Sequence, residues 1–147
     1  TAAINAQNQE TAGYSQDQIM NLDKQWRAET SNQSRPLIDS VLKRELSEYL
    51  RAKKESAQGI VTEIFVMDAK GLNVGQSDVT SDYWQGDEAK WQETFLKGPQ
   101  AIHVSEVEQD ESTQAFQSQV SLPVVDPATG QVIGAVTVGV NVEQLAQ

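Results

Sequence analysis

Residues 60–76 read IVTEIFVMDAKGLNVGQ, and this stretch decides the fold class. Residues 60–67 are rich in β-branched and aromatic side chains, which predicts a mostly buried strand. Residues 68–71 predict a tight turn, because Gly71 can adopt a positive φ angle, and residues 72–76 return as a short second strand. The stretch therefore predicts an antiparallel hairpin.

The same pattern recurs towards the C-terminus. Residues 114–125 and 131–142 predict two longer strands joined by a turn at residues 126–130. Residues 102–108 predict one further strand, followed by a turn at residues 109–112. We therefore expect five strands, paired at least in part as consecutive hairpins.

Two helices are predicted before the first strand. Apolar side chains recur every three or four residues in residues 14–29, which is the helical period. A second helix is expected to begin near Ser34 and Pro36 and to end at Gly59. Residues 1–13 contain few apolar side chains, so the sequence predicts a flexible lead-in there, followed by a single domain over residues 14–147.

A long segment separates the second and third predicted strands. Residues 77–100 contain Trp84, Trp91 and Phe95 at positions i, i+7 and i+11, which places them on one face of a helix. We expect a short helix over residues 83–96 that covers the sheet as a lid. Together these elements predict an α+β fold, with N-terminal helices packed on a five-stranded antiparallel sheet and a helical insert between strands two and three.

Charge and composition exclude several classes of function. The chain has 11 basic and 21 acidic residues, a net charge of −10, which opposes the binding of nucleic acid and anionic lipid. It has no cysteine, so a disulfide framework and a thiolate metal site are excluded. No apolar run approaches the roughly 20 residues of a membrane helix. Phosphate-loop and nucleophile-elbow motifs are missing, so we expect no enzymatic activity and no cofactor.

Three strings carry a resemblance to a known family: VMDAKGLNVGQS (residues 66–77), SDYWQGDEAKW (residues 81–91) and GQVIGAVTVGV (residues 130–140). With the order of elements, they make the chain resemble the single Cache, or PDC-like, domains, which are PAS-like extracytoplasmic sensor domains of bacterial chemoreceptors and sensor kinases. The resemblance implies the strand order two-one-five-four-three, with a small ligand held between the sheet and the insert. It also implies a periplasmic location and relay of a conformational signal, and both a domain tethered through flanking transmembrane helices outside this sequence and a stand-alone secreted protein fit it.

The expected ligand is a small organic acid, and a monocarboxylate such as pyruvate or acetate fits best. Many relatives bind carboxylates with arginine, but this sequence has no arginine after Arg51. A bound carboxylate would therefore be met by Lys90 in the insert, by His103 on the third strand, or by backbone N–H groups. Tyr83 and Trp84 would close over the ligand, because each joins an apolar ring to one polar atom.

Gln119 on the fourth predicted strand is the fifth candidate ligand-binding residue. Gln117 and Gln119 alternate with Phe116, Ser118, Val120 and Leu122, and the sequence leaves open which set faces the pocket. Each candidate also has a structural interpretation. Lys90 would be a solvated helix residue, His103 an ordinary strand residue, and Tyr83 and Trp84 part of the packing between insert and sheet.

Three alternative functions stay open at this point. Divalent cations such as Ca²⁺ would be bound by an acidic set whose spacing fits no EF-hand loop: Asp78, Asp82, Asp87 and Glu88. An interaction domain would fill the pocket with its own side chains and form homodimers through its N-terminal helices. A small hydrolase or isomerase would depend on His103.

Overall fold

The structure, a computed structural model, describes residues 1–109 and 115–145. These residues form six α-helices and six β-strands. The helices are α1 (Ala2–Thr11), α2 (Gln16–Glu29), α3 (Pro36–Leu42), α4 (Glu45–Ser56), α5 (Ala89–Gln92) and α6 (Val142–Leu145). The strands are β1 (Val61–Met67), β2 (Asn73–Gln76), β3 (His103–Val104), β4 (Glu108–Gln109), β5 (Phe116–Val125) and β6 (Val132–Asn141). None of the helices in this part of the chain is long and apolar enough to cross a membrane.

All six strands belong to one antiparallel sheet. Its order is β2-β1-β6-β5-β3, and β4 also pairs with β5. Because β3 and β4 together correspond to the third predicted strand, the order two-one-five-four-three is confirmed. The α+β class, with helices before the sheet and an insert after the second strand, is confirmed as well.

A shift in pairing divides the third predicted strand in two. The register with β5 changes by one residue between β3 and β4. At this point the Ser105 hydroxyl accepts a hydrogen bond of 2.8 Å from the backbone N–H of Gln119, so a side chain replaces a carbonyl in the ladder. Most of the predicted turn at residues 109–112, and the predicted strand start at residue 114, lie outside the described residues.

The N-terminal segment corrects one prediction. The sequence predicts a flexible lead-in over residues 1–13, whereas Ala2–Thr11 form α1, with Ile4 only 4% exposed. Gln7 Nε2 and Thr11 Oγ1 donate hydrogen bonds of 2.9 and 3.0 Å to the buried Asp68 Oδ2. The helix is therefore held largely by polar contacts to a distant carboxylate, which a search for apolar residues does not detect.

The second predicted helix is broken into α3 and α4 around Arg44. The Arg44 guanidinium donates a hydrogen bond of 2.9 Å to the Val74 carbonyl on β2. Carbonyls at the end of α3 receive side-chain donors, from Ser47 Oγ to Val41 O at 2.7 Å and from Arg51 to Leu42 O at 3.0 Å, and Val41 O also accepts from the Arg44 N–H at 3.2 Å. These bonds satisfy the backbone where the helix stops.

One apolar core lies between the helices and one face of the sheet. It contains side chains from α1, α4, β1, β2 and β6, namely Ile4, Leu50, Ile64, Val66, Val74 and Ile133. A second cluster joins α2 and α3 to the insert, where Trp26 stacks on Tyr83 with ring centroids 5.2 Å apart. The opposite face of the sheet, which we call the insert face, is covered by residues 77–100.

The insert is less helical than the sequence predicts. Only α5 and a short 3-10 turn, Phe95–Lys97, form within residues 83–96. Earlier in the insert the backbone bonds elsewhere: the N–H groups of Tyr83 and Trp84 donate to Asp23 Oδ1, and that of Gln85 donates 2.7 Å to Gly71 O. The Tyr83 carbonyl accepts a hydrogen bond from Asn73 N–H, and Trp84 forms a bridge with Leu72, so this part of the insert runs extended beside the first hairpin.

Candidate functional site

The insert face of the sheet is polar near its centre. Gln119 on β5, Gly139 on β6 and Glu63 on β1 are cross-strand neighbours in one row. Glycine is required in the middle, because a Cβ at Gly139 would lie 2.3 Å from Thr62 Oγ1. The sequence leaves open which alternate set of β5 side chains faces the pocket. In the structure, the set that contains Gln119 is turned towards the insert.

Two adjacent cavities lie between this face and the insert. The first, the insert cavity, has a volume of about 180 Å³ and is lined by Glu63, Phe65, Val79, Thr80, Ser81, Asp82, Gln85, Lys90 and Gln119. The second, the strand cavity, has a volume of about 150 Å³ and is lined by Lys90, Ser105, Glu106, Glu108, Gln117 and Gln119. Lys90 and Gln119 line both. A larger groove of about 510 Å³ adjoins the insert cavity at Glu63 and Val79.

Lys90 supplies a cation to the two cavities. Its side chain is 18% exposed, and its ammonium lies 3.8 Å from Glu88 Oε2 and 5.3 Å from the centroid of the Phe65 ring. The ring supports the ammonium through a cation–π contact, and the distance to Glu88 exceeds hydrogen-bond length. The ammonium therefore keeps donor capacity for a further acceptor.

The other three predicted site residues do not line these cavities. Tyr83 is 5% exposed, packs on Trp26, and has its pKa raised to about 12, mainly by burial. Trp84 donates its indole N–H to Lys70 O at 2.9 Å. His103 pairs with Ser121 at the sheet edge, and its buried Nδ1 has no partner among the described residues. The structure thus brings together Lys90 and Gln119, but not Tyr83, Trp84 and His103.

Seven residues that line the insert cavity are not predicted from the sequence as ligand contacts, among them Glu63, Asp82 and Gln85. Glu63 alternates with apolar strand neighbours, so the sequence carries a signal that it could leave the core. The sequence predicts Asp82 only as a candidate cation ligand. Gln85 lies in an irregular loop, where the spacing of apolar residues gives no information about which side chains face a cavity.

The acidic residues of the insert divide into two groups. Asp78 pairs with Lys54 at 2.8 Å, whereas Asp82, Asp87 and Glu88 offer carboxylate oxygens within 4.8 Å of one another. Burial raises the pKa of Glu88, the Lys90 ammonium opposes this, and the Asp82 and Asp87 carboxylates add to it. Arg27 lies 3.7 Å from Asp82. Lys90 and Arg27 therefore lie beside the cluster and offset part of its charge.

Helix α2 holds the insert in place. Asp23, only 3% exposed, accepts hydrogen bonds of 3.0 Å from the backbone N–H groups of both Tyr83 and Trp84. Its other oxygen pairs with Arg27 at 2.9 Å. The Trp26 indole donates 2.9 Å to Thr80 O. Three side chains of one helix therefore position the loop that lines the insert cavity.

Comparison with known proteins identifies the fold. No protein-family model and no curated protein match the chain. Among solved structures, the extracellular domain of the putative histidine kinase rpHK1S-Z16 matches with a TM-score of 0.55 at 17% identity, over 67% of this chain and 41% of that one. The sensory domain of the Campylobacter jejuni chemoreceptor Tlp3 matches with a TM-score of 0.52 at 14% identity, over 98% of this chain and 52% of that one.

The ligand-binding domain of Tlp3 in complex with 4-methylisoleucine also matches, with a TM-score of 0.50, 14% identity, and coverage of 98% of this chain and 50% of that one. The chain thus spans about half the length, or less, of these structures. It has the fold of the sensor domains of chemoreceptors and histidine kinases, as its resemblance to the Cache, or PDC-like, domains implied.

Proposed function

We propose that this chain is an extracytoplasmic sensor domain that binds a small organic acid, a monocarboxylate, between the insert and the sheet. The observation that carries the proposal is the position of Lys90, a mostly buried cation that lines both cavities together with Gln119. A carboxylate would accept a charge-assisted hydrogen bond from this ammonium. The shared fold with chemoreceptor and histidine-kinase sensor domains supports the role and the location outside the cytoplasm.

Signal relay would pass through α2. Asp82 lines the insert cavity, and its carboxylate lies 3.7 Å from Arg27 on that helix. A carboxylate bound at Lys90 would repel Asp82 out of the cavity towards Arg27, and would thereby change this contact and the adjoining Asp23 bonds. We propose that this change in α2 is the output of the domain within a larger membrane receptor.

The proposal is tested by thermal-shift screening and titration calorimetry with short mono- and dicarboxylates, including pyruvate and acetate. A ligand present at 100 times its Kd adds about 2.7 kcal/mol, which is a shift of roughly 5 to 10 °C for a domain of this size. Lys90→Met should weaken binding by about tenfold or more, because a hydrogen bond to a charged group is lost. Lys97→Met is the matched control, since Lys97 is exposed and lines neither cavity.

Failure of every acid to bind, or equal binding by the Lys90→Met variant, would overturn this assignment. The hydrolase alternative loses support because His103, on which it depends, lines neither cavity. The cation-sensor alternative is tested in the same screen with Ca²⁺ and Mg²⁺.

A specific observation favours the interaction-domain alternative as a second candidate. Apolar side chains on β5, on β3 and next to β3 stay exposed on the face opposite the insert, including Ile102 at 67%, Val104 at 60% and Leu122 at 41%. Contiguous exposed apolar side chains often mark an interaction site. Sedimentation velocity would reveal self-association, and Val104→Ser should abolish it if this face is responsible. The homodimer through N-terminal helices stays a prediction.

A further inference from the structure

Gln85 has a buried side chain, one polar atom of which has no hydrogen-bond partner among the described residues. It is 2% exposed and lines the insert cavity. Its backbone N–H donates to Gly71 O at 2.7 Å, its backbone carbonyl accepts from Glu88 N at 3.0 Å, and its Nε2 donates to Asp82 O at 3.1 Å. Only the side-chain oxygen, Oε1, has no hydrogen-bond partner among the described residues.

The hydrogen-bond network determines which end of the amide is unpaired. The partner of Nε2 is the Asp82 carbonyl, which can only accept, so the nitrogen must occupy that side. The remaining atom is therefore an acceptor. Burial of an acceptor without a donor is unfavourable, and buried amide oxygens in native proteins nearly always have one.

Among the described residues, no donor that lines the insert cavity, Lys90 and Gln119 included, reaches Gln85 Oε1. Asp82 contributes a carboxylate beside it, and the Lys90 ammonium already lies near Phe65 and Glu88. A bound carboxylate would satisfy Lys90 but would add further acceptors. A second group on the ligand, if it carries an O–H or N–H, would supply the donor that Gln85 lacks.

We propose that Gln85 determines ligand specificity, by selecting organic acids that carry an O–H or N–H donor beside the carboxylate over plain and keto acids of the same size. The inference rests on the proposed function, because it takes the carboxylate to be bound at Lys90. Hydroxy acids and amino acids share this donor chemistry. The Asp82 carboxylate, which lines the same cavity, would strengthen the interaction with an ammonium group.

The experiment compares matched pairs of ligands by titration calorimetry: lactate against pyruvate, and alanine against propionate. The wild-type chain should bind the donor-bearing member of at least one pair about tenfold more tightly, the effect of one buried hydrogen bond. Preference within the first pair identifies a hydroxyl as the donor, and preference within the second identifies an ammonium. Gln85→Met keeps the side-chain length and removes the acceptor. In this variant the ratio of the two dissociation constants within a pair should be close to one.

Gln92→Met is the control variant. Gln92 lies in the same insert and also donates to a backbone carbonyl, that of Gly86 at 3.1 Å, but it is exposed and lines neither cavity. It should keep the wild-type ratio. If Gln85→Met does not fold, Gln85→Asn withdraws the oxygen by one methylene and should lower the ratio as well.

The outcomes separate this inference from the proposed function. If none of the four acids binds, the proposed function is wrong and the inference falls with it. If acids bind but neither pair shows a preference, or if the preference survives in the folded Gln85 variants, the role of Gln85 is refuted while the acid sensor stands.

Discussion

Asp23→Ala should strongly destabilise the domain, because it removes the acceptor that ties the insert to α2. In the native structure one carboxylate oxygen accepts two backbone N–H groups, from Tyr83 and Trp84, at 3.0 Å each. Without Asp23 these donors lose their partner, and each buried unsatisfied group costs about 1–3 kcal/mol. The Arg27 pair adds little, since the arginine side chain is 58% exposed.

The expected loss is therefore about 3 to 5 kcal/mol, a large part of the 5–15 kcal/mol that stabilises a typical domain. At roughly 2 to 4 °C per kcal/mol for a chain of this length, Tm should fall by about 10 °C. Urea denaturation followed by circular dichroism measures the free energy of unfolding, and a thermal scan measures Tm.

Asp17→Ala makes the same chemical change in the first turn of the same helix, where the carboxylate is exposed. It should cost less than about 1 kcal/mol, from its interaction with the helix dipole. If Asp23→Ala lowers Tm no more than Asp17→Ala, then the buried acceptor does not stabilise the insert, and the reasoning that α2 positions the cavity loop is refuted.

Two further predictions concern the turn of the first hairpin and the alkaline limit of stability. Gly71 and Gly130 both have positive φ angles, of 88° and 72°, but a Cβ at Gly71 would lie 2.5 Å from Gly86 Cα, whereas a Cβ at Gly130 meets nothing within 4 Å. Gly130→Ala should cost about 1 kcal/mol of backbone strain and Gly71→Ala about 3 kcal/mol or more, so equal changes in Tm would contradict the predicted backbone contact. Burial raises the pKa of Tyr83 from 10.0 to about 12, so the unfolded phenol ionises first, and stability that is present below pH 10 is lost as the pH rises towards 12. Tyr83→Phe should reduce that loss in urea titrations between pH 9 and 11, and an unchanged pH dependence would show that other groups cause it.

The candidate site could be predicted only in part. Lys90 and Gln119 were found because an insert and an alternating strand are local features of sequence, and the structure places both at the two cavities. Tyr83 was assigned to the ligand because an aromatic ring with a polar atom suits a pocket, but the same properties suit a stack on Trp26. The choice between these positions depends on where α2 packs, which local sequence does not encode.

The sequence by itself determined the elements that rest on short-range patterns: the two hairpins, helix α2, the α+β class and, through the family resemblance, the strand order. Periodicity and turn residues act within a few positions, so they can be read without the fold. Only the tertiary structure decided four features: the docking of α1, the break between α3 and α4 at Arg44, the extended course of the insert, and the unpaired side-chain oxygen of Gln85. The first three depend on hydrogen bonds between residues far apart in sequence, such as Gln7 with Asp68 and Asp23 with Tyr83, and the last depends on which side chains surround Gln85. Polar contacts of this kind leave no apolar period, and they exist only after the chain has brought the partners together.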